Sequence, residues 1–242
     1  MIVADDVGIK FRRGRRRRLR LKNALRGGPV ITKPGEFWAL RHVSFSVEAG
    51  EALGLVGGNG QGKSTLLRII AGVMIPDEGS VEVNGGVAPL IELQAGFSGD
   101  LTARENIYLA ASLHGLPREE VDDMFDEIVK FAEMEEFLDA PVRHLSSGMK
   151  ARLGFAVVTR LNEPIILVDE VLAVGDTRFK RKCYRRMKEM LSGGKTLILV
   201  SHNERDLTRF CSRALYLRGG EVAANGPIDE ILALYAEDQD RE

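Results

Sequence analysis

Eight residues, "GGNGQGKS" (57–64), stand between the apolar run "ALGLV" (52–56) and the helix-spaced stretch "STLLRIIAGV" (64–73). They satisfy the pattern G-x-x-x-x-G-K-[ST] in the strand-then-helix context that the pattern requires. A buried strand feeding through a glycine-rich loop straight into a helix is the βα unit of an α/β domain, so this stretch restricts the fold more than composition does. Its chemistry explains its residue types. Glycines let the backbone curl until successive N–H groups point inward at phosphate oxygens, and the helix that follows adds its positive end. Lys63 then reaches β- and γ-phosphates and Ser64 offers its hydroxyl to Mg²⁺. The candidate nucleotide contacts here are Gly57, Gly58, Asn59, Gly60, Gln61, Gly62, Lys63, Ser64 and Thr65.

Two further apolar runs, "IILV" (165–168) and "TLILV" (196–200), read as buried parallel strands, and "FKRKCYRRMKEML" (179–191) has helical spacing. Near the start, "WALRHVSFSVEAGE" (38–51) alternates Val43, Phe45 and Val47 with Ser44 and Ser46, as a half-exposed antiparallel strand does, and "SVEVNGG" (80–86) reads as its hairpin companion. Residues from about 95 to 160 carry helical patterns and no convincing strand, which indicates a helical subdomain inserted in the sheet domain. Pro227 opens a final helix whose stripe is Ile228, Ile231, Leu232 and Tyr235, so residues 226–242 are expected to form a C-terminal helix and tail. The whole of 1–242 is expected to be one domain.

Three more stretches carry chemistry. "IILVDE" (165–170) ends a buried strand in two adjacent carboxylates. Asp169 is placed to hold Mg²⁺, and Glu170 to orient or deprotonate an attacking water. "LVSH" (199–202) ends another strand in His202, a candidate partner of a γ-phosphate or of that water. "LSSGMKARLGFA" (145–156) opens with small polar residues and turns helical, so its serines and backbone N–H groups form both a helix cap and an anion site.

Taken in order, the phosphate loop, the helical stretch ending in an "LSGGQ"-like signature, the "hhhhDE" strand, a D-loop and a strand-end histidine resemble the nucleotide-binding domain of ABC transporters. The resemblance runs from Val3 to about Ile231. It implies an α/β P-loop NTPase of ABC type: a mostly parallel sheet core with an antiparallel β subdomain and an inserted helical subdomain. It also implies an ATP hydrolase that dimerises head to tail around two MgATP, so that Ser146, Ser147 and Gly148 serve the other subunit's nucleotide. In "AVGD" (173–176), Asp176 takes the place of the D-loop aspartate. Phe11 is similar in position to the aromatic that stacks on adenine, with Trp38 as a competitor. Gln94 or Glu92 occupies the place of the Q-loop residue that senses the γ-phosphate and approaches the metal.

Departures from the common pattern narrow the resemblance. The signature reads "LSSGMK", Gln61 replaces a small residue, and "AGF…LTARENIYL", "VDEVLAVGD" and "EFWALRHVSF" are similar to the ATPase subunits of polysaccharide exporters, which move lipid-linked O-antigen, capsule, teichoic acid or galactan. The expected partners are therefore a second copy of the subunit, an integral permease dimer and, through it, a lipid-linked polysaccharide. The chain is expected to lack the C-terminal carbohydrate-binding domain that some of these subunits carry. An ABC ATPase serving a lipid or drug is the nearer alternative, and a soluble one acting on nucleic acid or ribosomes the more distant.

Charge and cysteines set the remaining expectations. The formal net charge is only −1, yet "KFRRGRRRRLRLKNALRGG" (10–28) lies in a stretch without acids between Asp6 and Glu36. Residues 12–36 read as a basic insert, either solvated or, through Arg15, Arg16, Arg17 and Arg18, in contact with an anionic membrane surface, where each engaged cation contributes about 1 kcal/mol. Without interleaved aromatics, such an arm offers no specific nucleic-acid recognition. No apolar run reaches the length of a membrane span and no secretory signal opens the chain, so it is expected to stay in the cytoplasm, and the resemblance implies a peripheral protein on the cytoplasmic face of the cell membrane. Cys183 and Cys211 lack zinc-ligand spacing and read as small apolar side chains.

Overall fold

The computed structural model describes residues 1–12, 35–91, 96–169 and 176–240. The expectations for Arg15 to Arg18, Glu92, Gln94 and Glu170 fall outside these residues.

The chain begins with two long strands, β1 (Ile2–Arg12) and β2 (Glu36–Val47), followed by β3 (Ala52–Val56) and α1 (Lys63–Ile70). Next come β4 (Glu78–Val83), β5 (Val87–Leu90), α2 (Ala103–Leu113), α3 (Arg118–Ala132) and α4 (Ser147–Val158). Then β6 (Ile165–Asp169), α5 (Thr177–Ser192), β7 (Thr196–Val200), α6 (Glu204–Phe210), β8 (Arg213–Arg218), β9 (Glu221–Pro227) and α7 (Ile228–Gln239) complete the order.

A six-stranded sheet runs β5-β6-β7-β3-β8-β9, parallel except for its last strand. The short apolar runs form its centre because both of their faces are covered. In β3, Leu53 and Leu55 pack with α1 and the antiparallel sheet, while Val56 turns to the opposite face, which α4, α5, α6 and α7 cover. The same alternation splits β6 into Ile165 and Leu167 against Ile166 and Val168.

The smaller antiparallel sheet has the order β2-β1-β4. The hairpin expected between 38–51 and 80–86 is thereby corrected: β4 pairs with β1 and not with β2. β1 takes the middle because its apolar residues Ile2, Ala4, Val7 and Ile9 are all buried, although Asp5 and Asp6 interrupt the alternation. At that interruption the ladder shifts register, and Asp6 and His42 adopt left-handed backbone angles and pair side chain to side chain at 2.8 Å.

Helices α2, α3 and α4 form their own apolar cluster from Ile107, Phe125, Ile128, Leu153 and Val157. The cap of α2 is reciprocal, with Thr102 and Glu105 each bonding the other's backbone N–H. A triad of rings joins this cluster to the sheet domain. Phe131 stacks on Phe155 at 5.9 Å, and Phe179 meets both edge-on.

Candidate nucleotide site at the strand ends

Asp169, Val200 and Leu55 lie in one row across three adjacent strands, since Val200 is the register partner of both other residues. Strands spaced about 4.8 Å apart put the acid roughly 10 Å from the base of the phosphate loop. Strand β3 is flanked by β7 and β8, so the loop leaves the sheet where the chain switches sides, the place at which open α/β sheets bind ligands. His202 follows β7 by two residues at the same edge.

The loop between β3 and α1 closes on itself. Lys63 is buried, and its Nζ donates to the carbonyl oxygens of Gly57 at 2.6 Å and Gly58 at 2.8 Å. Gly62 is the N-cap of α1 at φ 93°, and no side chain caps it, which leaves first-turn N–H groups for a ligand. Only glycine fits there: a Cβ would stand 2.5 Å from Leu40 Cδ2 and 2.6 Å from the Ala39 carbonyl oxygen. Gln61 lines the loop's cavity, and its Oε1 accepts from Gly219 N at 2.5 Å, tying the loop to the β8–β9 turn.

A cavity of about 350 Å³ opens over this loop, lined by residues 59–65 together with Phe11, Phe37 and Ala39. Its aromatic wall distinguishes the two candidates. Phe11 faces Phe37 across the β1–β2 pair with ring centroids 6.2 Å apart. Trp38 is absent from the lining and lies beneath Lys10 and Arg41, whose cationic groups stand 5.4 Å and 5.1 Å from its ring. Phe37, 43% exposed, was not singled out from the sequence. Only the cross-strand register reveals it.

At the end of β6, Asp169 Oδ1 is buried and has no hydrogen-bond partner among the described residues. A carboxylate oxygen left in that state at a polar edge is suited to a cation.

The signature residues lie elsewhere. Ser146 caps α4, its Oγ accepting from Met149 N at 3.2 Å, and Ser146 and Ser147 are exposed. Neither they nor Gly148 line the phosphate-loop cavity. Asp176 caps α5. Its Oδ1 accepts from Phe179 N at 2.8 Å and its Oδ2 from Arg152 at 2.7 Å, and these two donors, the backbone one foremost, hold its carboxyl below the ordinary value.

A phosphate loop at the switch point of a mostly parallel sheet, with an acid two strands away whose buried oxygen has no partner among the described residues, defines an α/β nucleoside-triphosphatase of the phosphate-loop class. Residues 40–173 match the family model described as ABC transporter, and the chain belongs to that family as an ABC-type ATPase. It is 44% identical over 205 residues to the O-antigen export system ATP-binding protein RfbB of Klebsiella pneumoniae, covering 85% of this chain and 83% of that protein. It is 43% identical over 207 residues to the teichoic acids export ATP-binding protein TagH of Bacillus anthracis, again over 85% of this chain but only 38% of that longer protein. Among solved structures, the dimeric post-hydrolysis state of an ATP-binding cassette bound to ADP and Pi superposes with a TM-score of 0.75 at 25% identity, covering 94% of this chain and 99% of that one. The structure of an ATP-binding subunit of an ABC transporter, 24% identical with a TM-score of 0.76 over 97% of this chain and 93% of that one, shows the same fold.

Proposed function

We propose that this chain, as one nucleotide-binding unit, forms a homodimer around two ATP molecules on the cytoplasmic side of a membrane permease and drives export of a lipid-linked polysaccharide. The observation that carries the ATPase part is the cavity over the phosphate loop, lined by Lys63, Phe11 and Phe37, with the Asp169 oxygen that lacks a partner among the described residues at a strand end two strands away in the same sheet as β3. The cargo rests on the relatives, which are export subunits for O-antigen and teichoic acids.

In this reading the adenine lies against Phe11 and Phe37, and the N–H groups of residues 58–64 receive the phosphates. Lys63 exchanges the carbonyls of Gly57 and Gly58 for β- and γ-phosphate oxygens. Ser64 and Asp169 supply the hard oxygen donors that suit Mg²⁺, and the unpartnered Asp169 oxygen fits that role. When bound, Mg²⁺ supplies charge neutralisation across the β- and γ-phosphates. Glu170 accepts a proton from the attacking water and His202 bonds the γ-phosphate, with Gln94 or Glu92 sensing it. Ser146, Ser147 and Gly148 present the exposed N-terminus of α4 to a second copy, in keeping with their distance from their own loop's cavity.

The permease is proposed to dock at an apolar groove. Val73, Pro89, Ile91, Phe97 and Leu113 line a groove of about 240 Å³ there, with Val73 72% and Leu113 63% exposed. Apolar surface left this open is stabilised by a partner that covers it. Among the described residues no helix is long and apolar enough to cross a membrane. Arg15, Arg16, Arg17 and Arg18 are proposed to meet the anionic leaflet.

The test is co-purification of Glu170→Gln protein from detergent-solubilised native membranes with MgATP. A stoichiometric multi-span partner is expected. Ribosomal or nucleic-acid material in its place would overturn the export reading.

A further inference from the structure

The phosphate loop is seated on the sheet domain at both ends and near its middle. A Cβ at Gly57 would stand 2.4 Å from the Leu217 carbonyl oxygen, and one at Gly62 would stand 2.6 Å from the Ala39 carbonyl oxygen, so the ends touch backbone and carry no side chain that could grip it. Between them Gln61 supplies a side-chain anchor. Its Oε1 accepts from Gly219 N at 2.5 Å, across 158 residues of sequence. The other amide atom, Nε2, lies over the loop, 3.9 Å from where a Cβ of Gly58 would stand. A small residue at position 61 has no atom that reaches the turn.

The turn that receives Gln61 is itself held. Gly219 and Gly220 adopt left-handed angles, φ 61° and 81°, and Arg41 N donates to the Gly220 carbonyl oxygen at 2.9 Å. One residue before the turn, Arg218 donates from a terminal nitrogen to Asp238 Oδ2 at 2.9 Å, and the Tyr216 hydroxyl donates to the same oxygen at 3.1 Å. Asp238 lies on α7 with its side chain 13% exposed, and Tyr235 of the same helix meets the Tyr216 ring edge-on at 5.5 Å. A continuous run of contacts therefore leads from α7 through the β8–β9 turn to the phosphate loop, and Tyr216, Arg218 and Asp238 stand outside the cavity lining.

Backbone N–H groups bind phosphate best when they are aligned beforehand, because a loop that must be ordered during binding gives up affinity. One hydrogen bond of this kind is worth about two- to tenfold in such an equilibrium. Asp169 and His202 belong to β6 and to the end of β7, on the other side of β3 from β8 and β9. The anchor therefore acts on binding more than on the chemical step.

We propose that Gln61 is a positioning residue through which α7 sets nucleotide affinity: by way of Gly219 it holds the phosphate loop in its binding shape, and Asp238 braces that hold from behind. The proposal rests on the reading of residues 57–64 as the phosphate site, and goes beyond it in making the C-terminal helix part of the affinity of that site.

The test compares Gln61→Met, Asp238→Ala, the double variant and Lys63→Ala by calorimetric titration with MgATP, by MgATP hydrolysis and by exchange of the Gly219 amide hydrogen. Gln61→Met keeps the length of the side chain and loses the acceptor. Its Gly219 amide should exchange faster and its MgATP affinity should fall about three- to tenfold, with a smaller fall in kcat. Asp238→Ala should lose less affinity in the same direction, and the double variant should lose no more than Gln61→Met alone, because the outer brace acts through Gln61. Unchanged affinity or unchanged Gly219 exchange in Gln61→Met overturns the proposal. Losses that add in the double variant overturn it too, since they put Asp238 on a separate route. A fall in kcat as large as the fall in affinity marks a merely structural role and has the same consequence. Lys63→Ala keeps the two readings apart: if it also binds MgATP as the wild type does, the phosphate-site reading falls and the proposal with it, whereas a loss in Lys63→Ala alone leaves that reading standing and removes Gln61.

Discussion

Lys63 bonds backward to the carbonyl of Gly57 at 2.6 Å, the first residue of the loop of which it is the seventh. The ammonium thus closes the loop on itself, and a phosphate that displaces those carbonyls inherits a cation already in place. Lys63→Ala is expected to weaken ATP binding at least about tenfold, or ~1.4 kcal/mol. Some loss of melting temperature should accompany it, since the carbonyl of buried Gly57 loses its donor. Isothermal titration with ATP measures the first effect. Undiminished affinity would remove Lys63 from the phosphate site.

The aromatic wall gives a second prediction. Phe11→Ala and Phe37→Ala should each cost about 0.5–1.5 kcal/mol of nucleotide affinity, the worth of a ring contact. Trp38→Ala should leave affinity unchanged, because Trp38 lies outside the cavity lining beneath Lys10 and Arg41. A fluorescent adenine nucleotide titrated against the three variants orders them. A loss confined to Trp38→Ala would reverse the assignment.

How much of this was legible beforehand depended on whether the deciding interaction was local. The runs 52–56, 165–168 and 196–200 could be read because a strand buried on both faces is continuously apolar, and β3, β6 and β7 occupy those places. The helix start at Ser146 was readable from its cap. By contrast β1 carries Asp5 and Asp6 in mid-strand, and its central place follows from pairing on both sides, which local pattern does not contain. Phe37 belongs to the cavity for the same reason: its partner across the ladder, Phe11, is 26 residues away in sequence. Asp169 was chosen for its position in "IILVDE", but its unpartnered oxygen is a property of the folded edge alone.

The loop glycines should differ in cost. Gly62→Ala forces a Cβ to within 2.6 Å of the Ala39 carbonyl oxygen at positive φ, so backbone strain and overlap combine to about 1–3 kcal/mol of destabilisation. Gly60 also has positive φ, but nothing stands within 4 Å of its Cβ position. Gly60→Ala should therefore cost only the left-handed penalty, about 1–2 kcal/mol at most. Urea midpoints of the two variants decide. Equal midpoints would mean that the approach of Leu40 and Ala39 does not limit position 62.

The two cysteines should be inert in the folded protein. Burial pushes both the Cys183 and the Cys211 thiol up to about 12, which at pH 8 leaves thiolate on the order of one molecule in ten thousand. A chromogenic disulfide reagent should label neither thiol over the time in which denatured protein reacts fully. Rapid labelling of the native protein would show that the core around α5 or α6 opens.

Glu133 supplies a pH dependence whose direction follows from its cause. The ammonium of Lys182 bonded to its carboxylate, foremost, and the nearby Arg178 and Arg152 hold its carboxyl below the usual value of 4.5. The folded protein therefore binds fewer protons at this site than the unfolded chain does. The resulting stabilisation is complete above the unfolded value and is lost as pH falls through the lowered folded one. Glu133→Gln should accordingly be less stable than the wild type at pH 7, by less than about 1 kcal/mol because the pair network is partly solvated. That difference should hold above the usual carboxyl value of 4.5 and shrink below it, as the unfolded chain takes up a proton that the folded carboxylate does not. Urea midpoints of both proteins between pH 3 and 7 measure it. A difference that persists undiminished at pH 3 would show that the charge of Glu133 contributes nothing to it, and would separate Glu133 from its cationic neighbours.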